Sequence, residues 1–241
     1  MTDKQGSGQQ YHPMLEICVE SFQDALSAVD AGADRIEYCS ALAVGGLTPS
    51  PGAMERISDI PAPCMVMIRP RPGNFRYDAS EIAIMKREIS LAREHGAAGV
   101  VFGVLNDAGV LDKPTLKDLI TACEGLQTTL HRAFDQLSDP LAGLEQAIEL
   151  GFDRVLTSGG APDAMTGRNV IAHLITEARN RIVILPGAGV TAANASDILD
   201  VTGADELHAS CKRDAAGSGY DAGRVSVDTD RVRALKAAMK R

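Results

Sequence analysis

Tryptophan is absent from this chain, and Phe and Tyr together supply only 4% of its residues. An interior dominated by aromatic rings is thereby excluded, and the core must be aliphatic, which the hydrophobic content of 45% allows. Basic charge is also short: 24 Lys and Arg stand against 32 Asp and Glu, a net charge of -8. That balance speaks against nucleic acid or an anionic membrane as the main partner. No apolar run exceeds strand length, so no membrane span is expected. The opening "MTDKQGSGQQ" lacks the basic start and apolar centre of a signal peptide, and residues 1–12 read as a disordered tail on a cytoplasmic protein. The five cysteines, Cys18, Cys39, Cys64, Cys123 and Cys211, contain no CxxC. An odd, scattered set fits free thiols or metal ligands in a reducing compartment, not a disulfide framework. No candidate strand ends on lysine, which argues against Schiff-base aldolase chemistry.

What the chain does contain is alternation. Short apolar segments recur at "MLEIC" from 14, "DRIEYC" from 34, "CMVMIR" from 64, "AGVVFGV" from 98, "TTLHR" from 128, "DRVLTS" from 153, "IVILPG" from 182 and "DELHAS" from 205. Helical segments fall between them, such as "DASEIAIMKREISLAREHGA", with Ile82, Met85, Ile89 and Ala92 at helical spacing. The phrases "DAGADRIEYC", "EHGAAGVVFG", "ELGFDRVLTS" and "VTGADELHAS" each join a helix-ending glycine to a strand. Eight such units in 241 residues predict an α/β fold, a single (β/α)8 TIM barrel over 13–241 closed by the helix in "VDTDRVRALKAAMKR". An open doubly wound sheet is the weaker alternative, because no GxGxxG follows the first strand.

A barrel puts function at the C-terminal ends of its strands. Strand alternation sends Leu15, Ile17, Ile36 and Tyr38 to the helix layer, and turns Glu16, Cys18, Glu37 and Cys39 inward. Arg69, His131 and Thr157 fall at other strand ends, and Glu206 and His208 on the eighth strand. Glu16, Cys18, Glu37, Cys39, Glu206 and His208 are therefore expected to cluster at one mouth. Glu16, Glu37 and Arg69 could equally form a buried ionic network that fixes the barrel. Soft thiolates select Cu(I) or Zn, and Cu(I) accepts the low coordination that a thiol pair, Cys18 and Cys39, would offer. A second constellation favours anions: Arg69 and Arg71 in "RPRPGNFRYD", Ser158 and Gly159 in "TSGG", and Gly187 and Gly189 in "PGAGV". With Glu37 and His131 as acid or base and Arg69 on the anion, these residues suit a lyase or isomerase acting on a small anionic or phosphorylated substrate. Cys64 and Cys123 read as structural, and His95 and His173 as solvated helix residues.

"LEICVES", "GADRIEYCSALAVGGLTPS", "MIRPRPGNFRY", "TLHRAFD", "RVLTSGG" and "PGAGV", in this order from about 14 to 211, resemble the CutC family of copper-homeostasis proteins. The resemblance implies a (β/α)8 barrel, usually cytoplasmic and often dimeric or higher. It also implies Cu(I) ligands at the cysteines of the first two strand motifs, here Cys18 and Cys39. Tyr38 stands where the family carries a leucine, and "HASCKR" departs from its pattern, so Cys211 gains no role from it. A copper carrier has no use for His131, Arg69 and two Gly-rich turns, which look like parts of an enzyme mouth.

Overall fold

The computed structural model describes residues 13–214 and 225–240, so the tail read at 1–12 lies outside the described residues. Eight strands, β1 (Met14–Val19), β2 (Arg35–Tyr38), β3 (Cys64–Met67), β4 (Gly99–Phe102), β5 (Gln127–Leu130), β6 (Arg154–Thr157), β7 (Val183–Pro186) and β8 (Glu206–Ala209), form one parallel sheet in the order β7-β6-β5-β4-β3-β2-β1-β8. The sheet curls into a TIM barrel whose seam lies between β7 and β8. Just past β7, a Cβ on Gly187 would stand 2.5 Å from Leu156 Cδ1 and 3.3 Å from His208 Cβ. Only a glycine lets the seam come this close.

The helices α1 (Phe22–Asp30), α2 (Pro51–Met54), α3 (Ala79–Glu94), α4 (Lys113–Cys123), α5 (Pro140–Leu150), α6 (Arg168–Ala178), α7 (Ala195–Thr202) and α8 (Thr229–Ala238) lie between and after the strands. Their starts follow local chemistry. Asp78 caps α3 in a reciprocal capping box with Glu81, and Asp112 and Asp139 cap α4 and α5 ahead of a proline in the first turn. Gly151 ends α5 at φ 88°, a conformation cheap only for glycine. The aspartates of the recurring "DR" phrases then tie each unit to its neighbour. Leu15 N–H donates to Asp34 at 2.6 Å and Thr128 N–H to Asp153 at 2.7 Å.

Period-two alternation sorts the apolar residues into two layers. Leu15, Ile17, Ile36, Tyr38, Val66, Phe102 and Leu207 face the helices and pack with Met85, Ile89, Leu116 and Leu174 in one continuous core. Each such side chain gains about 1.5–3 kcal/mol on burial. Cys39, Met65, Met67 and Val101 form a separate small cluster inside the barrel. Gly99 makes that cluster possible, since a Cβ there would meet Met65 Cε at 2.4 Å. Cys64 and Cys123 are buried in the helix-facing core, the latter donating to Leu119 O at 3.2 Å. A short antiparallel pair, β9 (Lys212–Asp214) and β10 (Val225–Val227), follows β8. No helix among the described residues is long and apolar enough to cross a membrane.

Candidate functional site

Parallel register determines which inward side chains meet. Glu16 pairs with Arg35 on one side and with His208 on the other, while Cys18 pairs with Glu37. The lower half of the lumen is ionic. Arg35 Nε donates to Glu16, Arg35 Nη2 to Glu206 Oε2 at 2.5 Å, and Arg154 Nε to Glu206 Oε2 at 2.9 Å. Arg154 also reaches Thr129 Oγ1 at 3.3 Å. Glu206 was expected at the mouth; as the first residue of β8 it lies instead in this lower layer. Arg35 and Arg154 escaped the sequence reading, although "DRIEYC" and "DRVLTS" place both at inward parity. Burial alone would raise the Glu16 carboxyl, but Arg35 and His208 outweigh it and hold it down at about 2.

Above that layer, Cys18, Glu37 and His208 bring donor atoms within 4.8 Å of one another. His208 Nδ1 is bonded to Glu16 Oε1 at 2.7 Å, which leaves Nε2, 3.9 Å from Glu37 Oε2, turned toward the other two. A carboxylate behind an imidazole is the arrangement that orients metal-binding histidines. Burial would lower the His208 imidazole, yet Cys18, Glu37 and Glu16 around it hold it well above its ordinary value. Cys39 is fully buried behind Glu37 and donates its thiol proton to Glu37 Oε2 at 3.4 Å. Burial and the facing Glu37 carboxylate push that thiol well up. Gly46, at φ 83°, leaves the room Cys39 uses; a Cβ there would stand 3.2 Å from its sulfur. Burial likewise drives Glu37 up, and its Oε1 has no hydrogen-bond partner among the described residues.

The residues read as anion binders separate. Arg69 spends its guanidinium on backbone, donating to Val44 O and Gly46 O at 3.0 Å and to Gly73 O at 2.9 Å. It thereby ties the loops after β2 and β3 together. Arg71 holds the loop after β3, bonding Glu81 and Arg76 O, and lies outside the mouth. Around Ser158 and Gly159 the anion is the protein's own Asp135. Its carboxylate accepts from Thr157 Oγ1 at 2.5 Å and from the Ser158 and Gly160 N–H groups at 3.2 Å, and pairs with Arg132 at 2.8 Å. Gly159 N–H turns to Thr157 Oγ1 at 2.8 Å, and Gly187 N–H to Thr157 O at 2.9 Å. Of the six glycine, serine and arginine positions, Arg69 and Gly189 line the central cavity. Sequence offered one cue to Asp135, the acid in "TLHRAFD".

That cavity encloses about 1170 Å³ above the Cys18, Glu37 and His208 cluster. His131, 3% exposed, lines its wall. Its Nδ1 accepts the Ala133 N–H at 3.2 Å, so the imidazole is neutral and its proton sits on Nε2. Burial, with Arg69 adding to it, pushes His131 down to about 3. Nε2 has no partner among the described residues. The Cys18, Glu37 and His208 cluster thus shares one cavity with a neutral imidazole donor.

Residues 13–213 match the model of the CutC family. A family protein CutC of Histophilus somni is 47% identical over 199 residues, covering 82% of each chain. The human copper homeostasis protein cutC homolog is 46% identical over 200 residues, 83% of this chain and 73% of that one. Among solved structures, CutC from Streptococcus agalactiae superposes with a TM-score of 0.78 at 35% identity, covering 81% of this chain and 97% of that one. A thiamine phosphate pyrophosphorylase from Pyrococcus furiosus, at 12% identity and a TM-score of 0.61, shares the barrel fold alone. The chain belongs to the CutC family.

Proposed function

We propose that this protein acts in copper homeostasis by holding Cu(I) at the barrel mouth, with Cys18 and Cys39 as thiolate donors and His208 Nε2 beside them. The observation that carries the reading is the Cys18, Glu37 and His208 cluster, with His208 already oriented by Glu16. Thiolate and imidazole are the donors Cu(I) favours, and the named relatives point the same way. Cys39 joins by giving up its proton and its bond to Glu37, which frees Glu37 to face the ion or His208. Free thiols suit a reducing, cytoplasmic setting, and we take the working form to be a homodimer or higher homo-oligomer. The test is competition for Cu(I) against a chromophoric chelator under reducing conditions. Cys18→Ser should abolish measurable competition and Cys39→Ser weaken it. Wild-type affinity in the double variant would refute the site.

One ion fills little of a cavity of about 1170 Å³, and this favours a second reading. In it the barrel is a lyase or isomerase for a small anionic or phosphorylated substrate, with Glu37 and His131 in acid–base roles. Turnover of such a compound by metal-free protein, lost in Glu37→Gln, would support it; no turnover across a panel would count against it.

A further inference from the structure

The mouth contains features that a copper site leaves unexplained. His131 Nε2 is a buried hydrogen-bond donor with nothing among the described residues to receive its proton. Leaving such a group unpaired costs about 1–3 kcal/mol, so its persistence calls for an acceptor beyond the described residues. The imidazole is also held in place with care. Gly103 makes space for it, since a Cβ there would lie 2.8 Å from Nδ1. Phe75 packs against it with ring centroids 4.6 Å apart, and the Ala133 N–H locks its tautomer. A neutral imidazole fixed in the wall of a cavity is suited to polarise a carbonyl oxygen.

The charge around the opening is the second, independent observation. The chain carries a net charge of -8, yet the described residues lining the cavity include Arg69, Arg132, Lys212, Arg213 and Arg231 against Glu37 and Asp135, with Arg132 paired to Asp135 and Arg231 to Asp228. Asp135 is already committed to Arg132 and the backbone around Ser158. Lys212 and Arg213 have no carboxylate partner among the described residues, and Arg213 makes only a 3.4 Å contact to Ser226 Oγ. A positive rim on an acidic protein concentrates anions at the opening.

We infer that the barrel mouth binds a small carbonyl-bearing organic anion, its carbonyl oxygen accepting from His131 Nε2 and its charged end resting on the rim of Lys212 and Arg213. Such a ligand would meet both the His131 donor and the two rim cations, none of which has an acceptor or carboxylate partner among the described residues. The cavity is of the size that encloses metabolite-scale ligands. The charged end can be a phosphate or a carboxylate, and separate probes distinguish them. The inference takes from the lyase or isomerase reading only the use of this cavity. It concerns binding without turnover, so it can hold where that reading fails.

The test is calorimetry and thermal shift on the metal-free full-length protein, with dihydroxyacetone phosphate and pyruvate as the two arms. Glycerophosphate and lactate are the matched alcohols, and inorganic phosphate the fragment control. At least one carbonyl compound should bind saturably and raise Tm. It should bind about tenfold or more tighter than its alcohol, since a carbonyl is purely an acceptor for the His131 proton. His131→Phe should remove that preference and His131→Asn, which keeps a donor, should retain part of it. The exposed pair Lys212→Ser with Arg213→Ser should fold normally, weaken binding about tenfold and flatten its salt dependence. Should His131→Phe fail to fold, the carbonyl-to-alcohol ratio and the rim variant still decide. Absence of binding in both arms at millimolar ligand overturns the inference, as does binding indifferent to the carbonyl or to the rim.

Discussion

Replacing Glu206 by leucine tests the buried ionic layer that carries the mouth. Glu206 Oε2 accepts from Arg35 at 2.5 Å and Arg154 at 2.9 Å, all three side chains being buried. In Glu206→Leu, Arg35 keeps Glu16, while Arg154 is left, among the described residues, with only Thr129 Oγ1 at 3.3 Å. Breaking a buried pair by removing one partner costs about 3–5 kcal/mol, mostly from the stranded charge. Against a net stability of about 5–15 kcal/mol, that is a large fraction. Adding Arg154→Met removes the stranded guanidinium, and the double variant should recover at least half of the loss. Urea unfolding, read as the change in midpoint at constant slope, measures both. A single variant that loses less than about 1 kcal/mol, or a double variant worse than the single, would refute the reading of this layer as mutually dependent ion pairs.

Acid should destabilise the fold in two stages. Glu16, at about 2 when folded against an ordinary 4.5, contributes stability that is complete above pH 4.5 and lost as pH falls toward 2, roughly 3 kcal/mol in all. His131, at about 3 against 6.5, adds stability present above pH 6.5 and lost between 6.5 and 3; His131→Asn should flatten that upper stage of a pH–stability curve. Gly187→Ala should weaken the β7–β8 seam by about 1–3 kcal/mol, because its Cβ would overlap Leu156; unchanged thermal stability would show that the seam can relax. Asp135→Ala should leave the Ser158 and Gly160 N–H groups unpaired and speed amide exchange there, with β1 and β2 unaffected.

The barrel was legible because its signals are local and repeated. Helix-ending glycines precede strands, and alternation sends Ile36 and Tyr38 outward and Glu37 and Cys39 inward. Parity, however, says which face a side chain takes and not its height in the barrel. Glu206 and His208 share a strand face, yet one meets Arg35 and the other meets Glu16 from above. Arg35 and Arg154 were overlooked because a strand arginine beside an aspartate resembles a surface pair, and only closure of the sheet brings them to Glu206. The anion residues misled for a related reason. Gly-rich turns do expose N–H groups, but Asp135, from the preceding βα loop, is already seated in the one after β6. Nothing in the one-dimensional pattern reveals that His131 Nε2 finds no partner among the described residues, because this depends on which neighbours fail to reach it.

X-ray absorption at the copper edge, on protein loaded with one equivalent of Cu(I), tests the metal site most directly. Wild-type protein should give a sulfur-dominated first shell with a nitrogen contribution from His208. Cys18→Ser should lose sulfur scattering, and His208→Gln the imidazole signature. A first shell without sulfur, or one unchanged when Cys18 and Cys39 are both serine, would contradict copper binding at the barrel mouth.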